Sequence, residues 1–268
     1  MYNRDMPNMS NKKIDSTYIY TKGQPNNIRL RAGSNRESER KNQILTSAIK
    51  VFGERGFQNA TISEIAKNAQ MGDATIYEYF KSKEDLLLAI PVEVTKEIIP
   101  QINYHMMGIK GAFNKLRKFV WWYLNFFENN PEYGSIVLLE LKTSRTYISN
   151  EAYQAARNFH GVILDIIKEG QEEGVIDKET DVYVARSLCV GAIEHIIIRW
   201  LLKDRRYSVT QYADQLIDLL INALKGLDLD TTKQRFFAKK DRTPLLRRGT
   251  NASVPFGRPG RRRRVRVC

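Results

Sequence analysis

Residues 75–86 read Thr-Ile-Tyr-Glu-Tyr-Phe-Lys-Ser-Lys-Glu-Asp-Leu and carry the clearest local pattern in the chain. Ile76 and Phe80 are four residues apart, so their apolar side chains share one face of a short helix. Ser82 is followed three residues later by Asp85, which is typical of a helix N-terminus. The stretch therefore predicts the end of one short helix and the beginning of a longer one.

A second short helix is predicted just before this stretch. Thr61 is followed three residues later by Glu64, which is the pattern of a capping box. Three residues, 70–72, separate this helix from the next. Ala66 is small, as a residue must be where two packed helices cross closely. The pair predicts a helix-turn-helix, whose second helix enters the major groove of DNA.

An amphipathic helix precedes the pair and begins near residue 37. Its apolar residues recur at helical spacing, at Ile44, Ala48, Val51 and Phe52, and glycines follow. Three helices over residues 37–82 thus form the predicted DNA-binding domain. Residues 1–36 are polar without an apolar period, so we expect a disordered or loosely attached arm.

The remainder of the chain is also helical in period, and no strand alternation bounded by hairpin turns interrupts it. The fold class is therefore all-α, with about nine helices in total. Pro91 and Pro100 lie inside the fourth helix, and we expect them to kink or break it because each removes a backbone donor. The predicted later helices cover residues 83–107, 112–129, 132–142, 150–173, 180–203 and 209–226.

The positive charge of the chain is concentrated in its tail. The net charge is +13 overall, but +4 in residues 1–90, −3 in residues 91–232 and +12 in residues 233–268. Overall charge is therefore weak support for DNA binding by the folded part. The basic tail, residues 229–268, is predicted to be disordered. It is either a non-specific DNA anchor, acting through counterion release, or an accidental extension without a function.

Several classes of protein are not predicted. Cys189 and Cys268 are far apart and offer neither a disulfide framework nor metal-ligand spacing, so no metal and no cofactor is expected. The chain lacks a glycine-rich phosphate loop and a nucleophile elbow, which argues against an enzyme. No apolar run could span a bilayer or serve as a secretory signal, and we expect a cytoplasmic protein without a membrane partner.

Residues 38–90 resemble the DNA-binding domain of the TetR family of transcriptional regulators. The run from Thr75 to Leu86 is similar to the family pattern TLYxYFxSKExL at nearly every position. The later helices resemble the family by layout, which implies a ligand-binding and dimerisation domain over residues 83–228. The resemblance implies a ligand-responsive repressor that binds palindromic double-stranded operator DNA as a homodimer and is released by a small apolar effector. The helices around 180–203 and 209–226 would form the dimer.

The resemblance also assigns contacts with DNA. Hydroxyl, phenol and ammonium groups near helix N-termini suit phosphate, which sets register, whereas base contacts set sequence. Two acids on the reading helix are repelled by phosphate and must find donors such as cytosine N4. An alternative is therefore a helical protein-interaction module whose helix-turn-helix no longer reads DNA. The predicted phosphate contacts are Thr61, Tyr77 and Lys83, and the predicted base contacts are Asp73, Ala74, Thr75 and Glu78.

Several positions in and after the turn depart from the family pattern, namely Gln70, Met71, Gly72 and Ala74. The family usually has Gly where this chain has Gln70. If this position requires a left-handed backbone, Gln costs about 1 kcal/mol more than Gly. We expect the fold to tolerate that cost.

An aromatic cluster marks the predicted ligand-binding core. Phe119, Trp121, Trp122, Tyr123, Phe126 and Phe127 are spread around the fifth helix and either fill the core or line a cavity for an apolar effector. Residues 191–200 are loosely similar to family members that control fatty-acid metabolism, whose effectors are fatty acyl-CoA thioesters. His195 has no second metal ligand at a suitable spacing, so a core, interface or ligand contact is expected. The candidate ligand contacts are Tyr104, Met107, Trp121, Trp122, Phe126 and His195.

Overall fold

The computed structural model describes residues 28, 30, 36–142 and 150–225. Within these ranges the chain contains nine α-helices and no β-strand, which confirms the all-α fold. A π-helix, Ser135–Leu141, continues α6, and a 3₁₀ turn, Val209–Tyr212, precedes α9. The helices are α1 Arg36–Arg55, α2 Ile62–Asn68, α3 Asp73–Tyr79, α4 Lys83–Met106, α5 Ala112–Asn129, α6 Pro131–Gly134, α7 Glu151–Glu172, α8 Val182–Leu202 and α9 Ala213–Leu224.

Both predicted helix caps are present. The backbone N–H of Glu64 donates to Thr61 Oγ1 (3.2 Å), and the N–H of Thr61 donates to Glu64 Oε2 (3.1 Å), which completes the capping box of α2. The N–H of Asp85 donates to Ser82 Oγ (3.0 Å) at the N-terminus of α4. These bonds satisfy N–H groups that the first turn of a helix leaves without intrahelical partners.

The turn between α2 and α3 has a left-handed residue at Gln70, where φ is +55°. The N–H of Met71 donates to the carbonyl of Ala66 (2.9 Å), and the N–H of Gln70 donates to the carbonyl of Lys67 (3.1 Å). This pair of bonds is a Schellman motif, which ends a helix and reverses the chain. The turn fixes the position of α3 relative to α2, since Ile65 and Ile76 pack with no exposed surface.

The expected break in α4 does not occur, because the helix continues through both prolines from Lys83 to Met106. Each proline removes one hydrogen bond, but burial of one face of α4 stabilises the helix more than that loss costs. Pro91 is itself buried, and α4 packs along α7 as its main neighbour. The hydroxyl of Thr95 donates to the carbonyl of Pro91 (2.7 Å).

The core of the regulatory part is built around the aromatic side chains of α5. Five of the six predicted aromatics are buried, and Trp121 is 42% exposed. Phe159 of α7 lies against Tyr123, with ring centroids 5.1 Å apart, and also against Phe119 and Trp122. Cys189 is fully buried in α8, and burial raises the pKa of its thiol to about 12. The aromatics thus serve mainly as packing.

Before α1, the predicted arm can be compared with the structure only at Ile28 and Leu30. Ile28 and Leu30 lie half-buried against the core, and the N–H of Ile28 donates to Asn130 Oδ1 (2.6 Å), so the arm is packed rather than loose there. The rest of the arm, the tail 229–268 and Cys268 lie outside the described residues. Every helix in the described ranges is too short or too polar to span a lipid bilayer.

Candidate functional site

Helix α3 presents an exposed polar face opposite its buried side chain, Ile76. Four residues are exposed on this face: Asp73, Ala74, Tyr77 and Glu78. The last two follow the first two by one helical turn, so all four lie on the same side of α3. Thr75 is half-buried beside them. Tyr77 is 56% exposed and therefore is not a core residue. The face is free to enter a groove of DNA.

The two acids of α3 differ in their surroundings. The hydroxyl of Ser63 in α2 donates to the carboxylate of Asp73, so this acid has a donor within the protein. Glu78 is exposed, one turn after Ala74 on the same face. The base contacts assigned to Asp73 and Glu78 stay predictions.

The predicted phosphate contacts lie on three elements. Thr61 caps α2 and is exposed. The ammonium of Lys83 donates to the carbonyls of Phe57 and Ala60 (both 2.9 Å) and lies 4.5 Å from the centre of the Phe57 ring. Lys83 therefore joins α4 to the end of α1, and a phosphate would have to compete with these carbonyls. A contact between Lys83 and a phosphate of DNA stays a prediction.

A small, mainly apolar cavity of about 30 Å³ lies in the regulatory part. Its walls come from α4, α5, α6, the π-helix, α7 and α8. Its apolar end is formed by side chains such as Ile98, Phe127 and Leu138. The lining residues are Pro91, Thr95, Ile98, Tyr123, Phe127, Tyr133, Val137, Leu138, Lys142, Ala156, Phe159, His160 and Glu194.

One end of this cavity is a charged cluster, which we call the Glu194 cluster and which consists of Glu194, Lys142, His160 and Tyr123. The hydroxyl of Tyr123 donates to Glu194 Oε1 (3.0 Å), and His160 Nε2 lies 3.5 Å from the same oxygen. The ammonium of Lys142 pairs with Glu194 Oε2. Burial alone would raise the pKa of Glu194, but the His160 bond and the Lys142 charge outweigh it and hold the pKa at about 2.

An open basic groove of about 250 Å³ adjoins the cavity. The two share four residues, among them Lys142, His160 and Glu194. The groove adds the guanidinium groups of Arg157 and Arg186. An apolar cavity therefore meets a cationic surface at the Glu194 cluster, which is the arrangement that suits an amphiphile with an anionic head.

Two family models match the chain. The model described as "Bacterial regulatory proteins, tetR family" matches residues 44–90, and the model described as "YsiA-like protein, C-terminal region" matches residues 93–223. The chain belongs to the TetR family. It is a DNA-binding transcriptional regulator with a helix-turn-helix.

Relatives of this TetR-family protein include regulators of fatty-acid metabolism. The "Fatty acid metabolism regulator protein" of Bacillus subtilis (strain 168) is 26% identical over 182 residues, covering 68% of this chain and 94% of the relative. The "HTH-type transcriptional repressor NicS" of Pseudomonas putida is 26% identical over 198 residues, covering 70% of this chain and 92% of the relative. The relatives are regulators by name, not enzymes.

Solved structures of the same kind share the fold. The fatty acid degradation regulator FadR from Bacillus halodurans has a TM-score of 0.66 and 26% identity, covering 70% of this chain and 97% of that chain. FadR from Bacillus subtilis, solved in complex with stearoyl-CoA, has a TM-score of 0.64 and 26% identity, covering 67% of this chain and 96% of that chain.

None of the six candidate ligand contacts lines the cavity of this TetR-family protein. Tyr104 and Met107 are 60% and 74% exposed, because they follow the last buried turn of α4. Trp122 and Phe126 are buried but stack on each other, with ring centroids 5.1 Å apart. The cavity uses an earlier part of α4 and, on α5, the neighbouring residues Tyr123 and Phe127. A ligand contact at Tyr104, Met107, Trp121, Trp122, Phe126 or His195 stays a prediction.

Sequence reasoning did not assign a role to Lys142, His160 or Glu194. A signal was available for Glu194, since it interrupts the apolar run of α8 and is only 7% exposed. A charged residue in a buried helix needs a partner of opposite charge. The pattern could therefore have predicted a buried ion pair at Glu194, but not that its partner is Lys142.

An exposed stripe follows one side of α8. Its members are spaced alternately by four and three residues, which is the spacing of helices that pack side by side. Val184 and Leu202 are 66% and 67% exposed at its two ends, and Leu219 of α9 is 63% exposed. The stripe consists of five exposed residues, Val184, Leu188, Gly191, His195 and Leu202, together with Ile198, which is half-buried. His195 thus lies on a surface and outside the cavity.

Proposed function

We propose that this TetR-family protein is a transcriptional repressor that binds a palindromic operator as a homodimer and is released by a long-chain acyl-CoA. The observation that carries the effector class is the contact between an apolar cavity and a basic groove at the Glu194 cluster. The acyl chain would occupy the cavity. Arg157 and Arg186 of the basic groove would bind the phosphates of the head group, because cationic side chains favour phosphate. The stearoyl-CoA bound to the similar FadR structure supports this class.

The dimensions of the cavity give a mechanism for release. A volume of about 30 Å³ has room for little more than water, so an acyl chain must displace packed side chains. Two of the displaced walls also contact the DNA-binding part: α4 continues directly from it, and the π-helix contacts the end of α1 through Glu140 and Phe57 (3.3 Å). Filling the cavity would therefore shift the helix-turn-helix.

The homodimer is supported by the stripe on α8 together with Leu219 on α9. Apolar side chains in a continuous exposed row are unfavourable in water and become favourable when a second copy covers them. A two-fold dimer presents two copies of α3, and such symmetric pairs bind palindromic half-sites one helical turn apart.

A direct experiment combines DNA selection with ligand titration. The full chain is used to enrich sequences from random duplex DNA, and the enriched duplex is then titrated with acyl-CoA of 8 to 18 carbons. We expect a palindromic sequence and its release by the longer chains, since each added methylene contributes about 0.8 kcal/mol of burial. Enrichment of no sequence would support the alternative of a protein-interaction module. An operator complex that no acyl-CoA weakens would contradict the effector class.

A further inference from the structure

The Glu194 cluster stands where the head group of a bound acyl chain would emerge from the cavity. Both oxygens of Glu194 are bonded, one to the hydroxyl of Tyr123 and the other to the ammonium of Lys142. Within the part of the chain that the structure describes, Lys142 is the only lysine or arginine that lines the cavity. The cationic charge at this point is therefore already balanced by an anion of the protein.

We propose that Glu194 makes the cavity selective against free carboxylates and so restricts the effector to acyl chains whose group beside Glu194 is neutral, such as a thioester. This inference rests on the proposed function, because it concerns the same cavity and how that cavity distinguishes a free fatty acid from its thioester. A carboxylate at this end of the cavity would lie beside the carboxylate of Glu194, and like charges repel strongly where solvent is excluded.

A free fatty acid is disfavoured when its carboxylate lies beside Glu194 and Lys142. If its carboxylate displaced Glu194 from Lys142, Glu194 would lose its partner while only 7% exposed, and an unpaired buried charge is costly. The low pKa of Glu194 also means that protonation does not remove its charge near neutral pH. A thioester carbonyl brings no charge, so the ion pair stays intact.

The selectivity should reverse when the charge is removed without a change in shape. Glu194→Gln leaves the positive Lys142 at the end of an apolar cavity, where a free carboxylate can take the place of the missing anion. Glu194→Gln with Lys142→Met removes both charges, so the gain should disappear. Glu169→Gln is a matched control, because Glu169 also pairs with a lysine, Lys115, but outside the cavity.

The test measures binding of three probes with the same chain length: dodecanoate, methyl dodecanoate and dodecanoyl-CoA. In the unmodified protein we expect dodecanoate to bind about tenfold or more weakly than methyl dodecanoate. In Glu194→Gln we expect dodecanoate binding to strengthen by about tenfold or more. In the double variant and in Glu169→Gln, dodecanoate binding should remain weak. Isothermal titration calorimetry on the full chain gives each affinity.

The outcomes separate this inference from the proposed function. Equal binding of dodecanoate and methyl dodecanoate by the unmodified protein would overturn the role of Glu194, and this comparison needs no variant to fold. A folded Glu194→Gln that gains no affinity for dodecanoate would overturn it as well. Failure of dodecanoyl-CoA to bind, with the dodecanoate gain still observed, would overturn the proposed effector class but support the selectivity.

Discussion

At the scale of single residues, Glu194 shows how partners outweigh burial. An isolated carboxylate in this position would take up a proton, because burial disfavours its charged form. The hydroxyl of Tyr123, the ring of His160 and the ammonium of Lys142 instead stabilise the anion. The energy that these partners supply depends on pH, since it exists only while Glu194 is ionised.

The contribution of Glu194 to stability should fall in acid. Its pKa is about 2 in the folded protein and 4.5 by reference, so the stabilisation is complete above pH 5 and is lost as the pH falls toward 2. The difference in free energy of unfolding between the unmodified protein and Glu194→Gln should be about 1 kcal/mol smaller at pH 4 than at pH 7.

Urea unfolding at several pH values measures this difference. Glu169→Gln, which removes a carboxylate that pairs with Lys115 outside the cavity, is the control. A difference for Glu194→Gln that stays constant from pH 7 to pH 4 would show that the cluster does not hold Glu194 ionised.

Glu78 is expected to act on sequence preference. It is exposed on the reading face of α3, and a carboxylate there accepts a hydrogen bond from cytosine but is repelled by phosphate. Glu78→Ala should change the free-energy preference among bases at one base pair of the operator by about 1–3 kcal/mol. The total affinity for DNA should change less. Selection from random duplexes compares the variant with Glu54→Ala, an exposed acid of α1. An unchanged preferred sequence would remove Glu78 from the reading face.

At the scale of elements, the turn between α2 and α3 holds a residue in an unfavourable conformation. Gln70 has a φ of +55°, which a residue with a Cβ adopts only at a cost. Gln70→Gly should therefore stabilise the protein by about 0.5–1 kcal/mol. Asn68→Gly, in the last turn of α2, should instead destabilise it. Thermal unfolding distinguishes the two, and a loss of stability in Gln70→Gly would mean that the side chain itself supports the turn.

The contact between α1 and α6 links the DNA-binding part to the ligand-binding part. A Cβ added at Gly53 would lie 2.6 Å from the Cα of Glu132, so the two helices could not stay at their present distance. The π-helix that follows α6 contacts the same end of α1 through Glu140. A π-helix is rare and often lies at a functional site. We therefore expect this contact to be a route by which a filled cavity acts on the helix-turn-helix.

Gly53→Ala should weaken this link. We expect a loss of about 1–3 kcal/mol in the free energy of unfolding from overpacking, and a smaller effect of acyl-CoA on operator affinity. Gly161→Ala in α7 is the control, because nothing lies within 4 Å of its added Cβ. Urea unfolding and operator titrations with and without acyl-CoA measure both effects. An unchanged response to acyl-CoA in a folded Gly53→Ala would leave α4 as the route.

At the scale of the whole molecule, the stripe on α8 is the proposed interface between two copies of the chain. Leu188 lies inside the stripe and is 47% exposed, so a charge there would face its own copy across the two-fold axis. Leu188→Glu should produce a monomer that binds the operator about tenfold or more weakly, because it contacts one half-site. Val175→Glu lies outside the stripe and should leave both properties unchanged. Light scattering coupled to gel filtration gives the mass, and a dimeric Leu188→Glu would exclude the stripe as the interface.

The sequence by itself determined the helices, their caps and the helix-turn-helix. These depend on interactions within about ten residues, such as Thr61 with Glu64 and Ser82 with Asp85, and a local pattern is enough to identify them. That α8 and α9 form a homodimer is implied by the family resemblance and stays a prediction. The helix over residues 83–107 was predicted, but a break at Pro91 or Pro100 does not occur, because packing against α7 outweighs a local preference.

Only the tertiary structure decided which residues meet in the cavity. Lys142 and Glu194 are 52 residues apart in the chain, and no local period relates them. The composition of α5 suggested its aromatic residues as ligand contacts, but most of them pack against Phe159 and against one another. A helical period fixes which face of a helix is buried, but which side chains lie opposite that face depends on how distant helices pack.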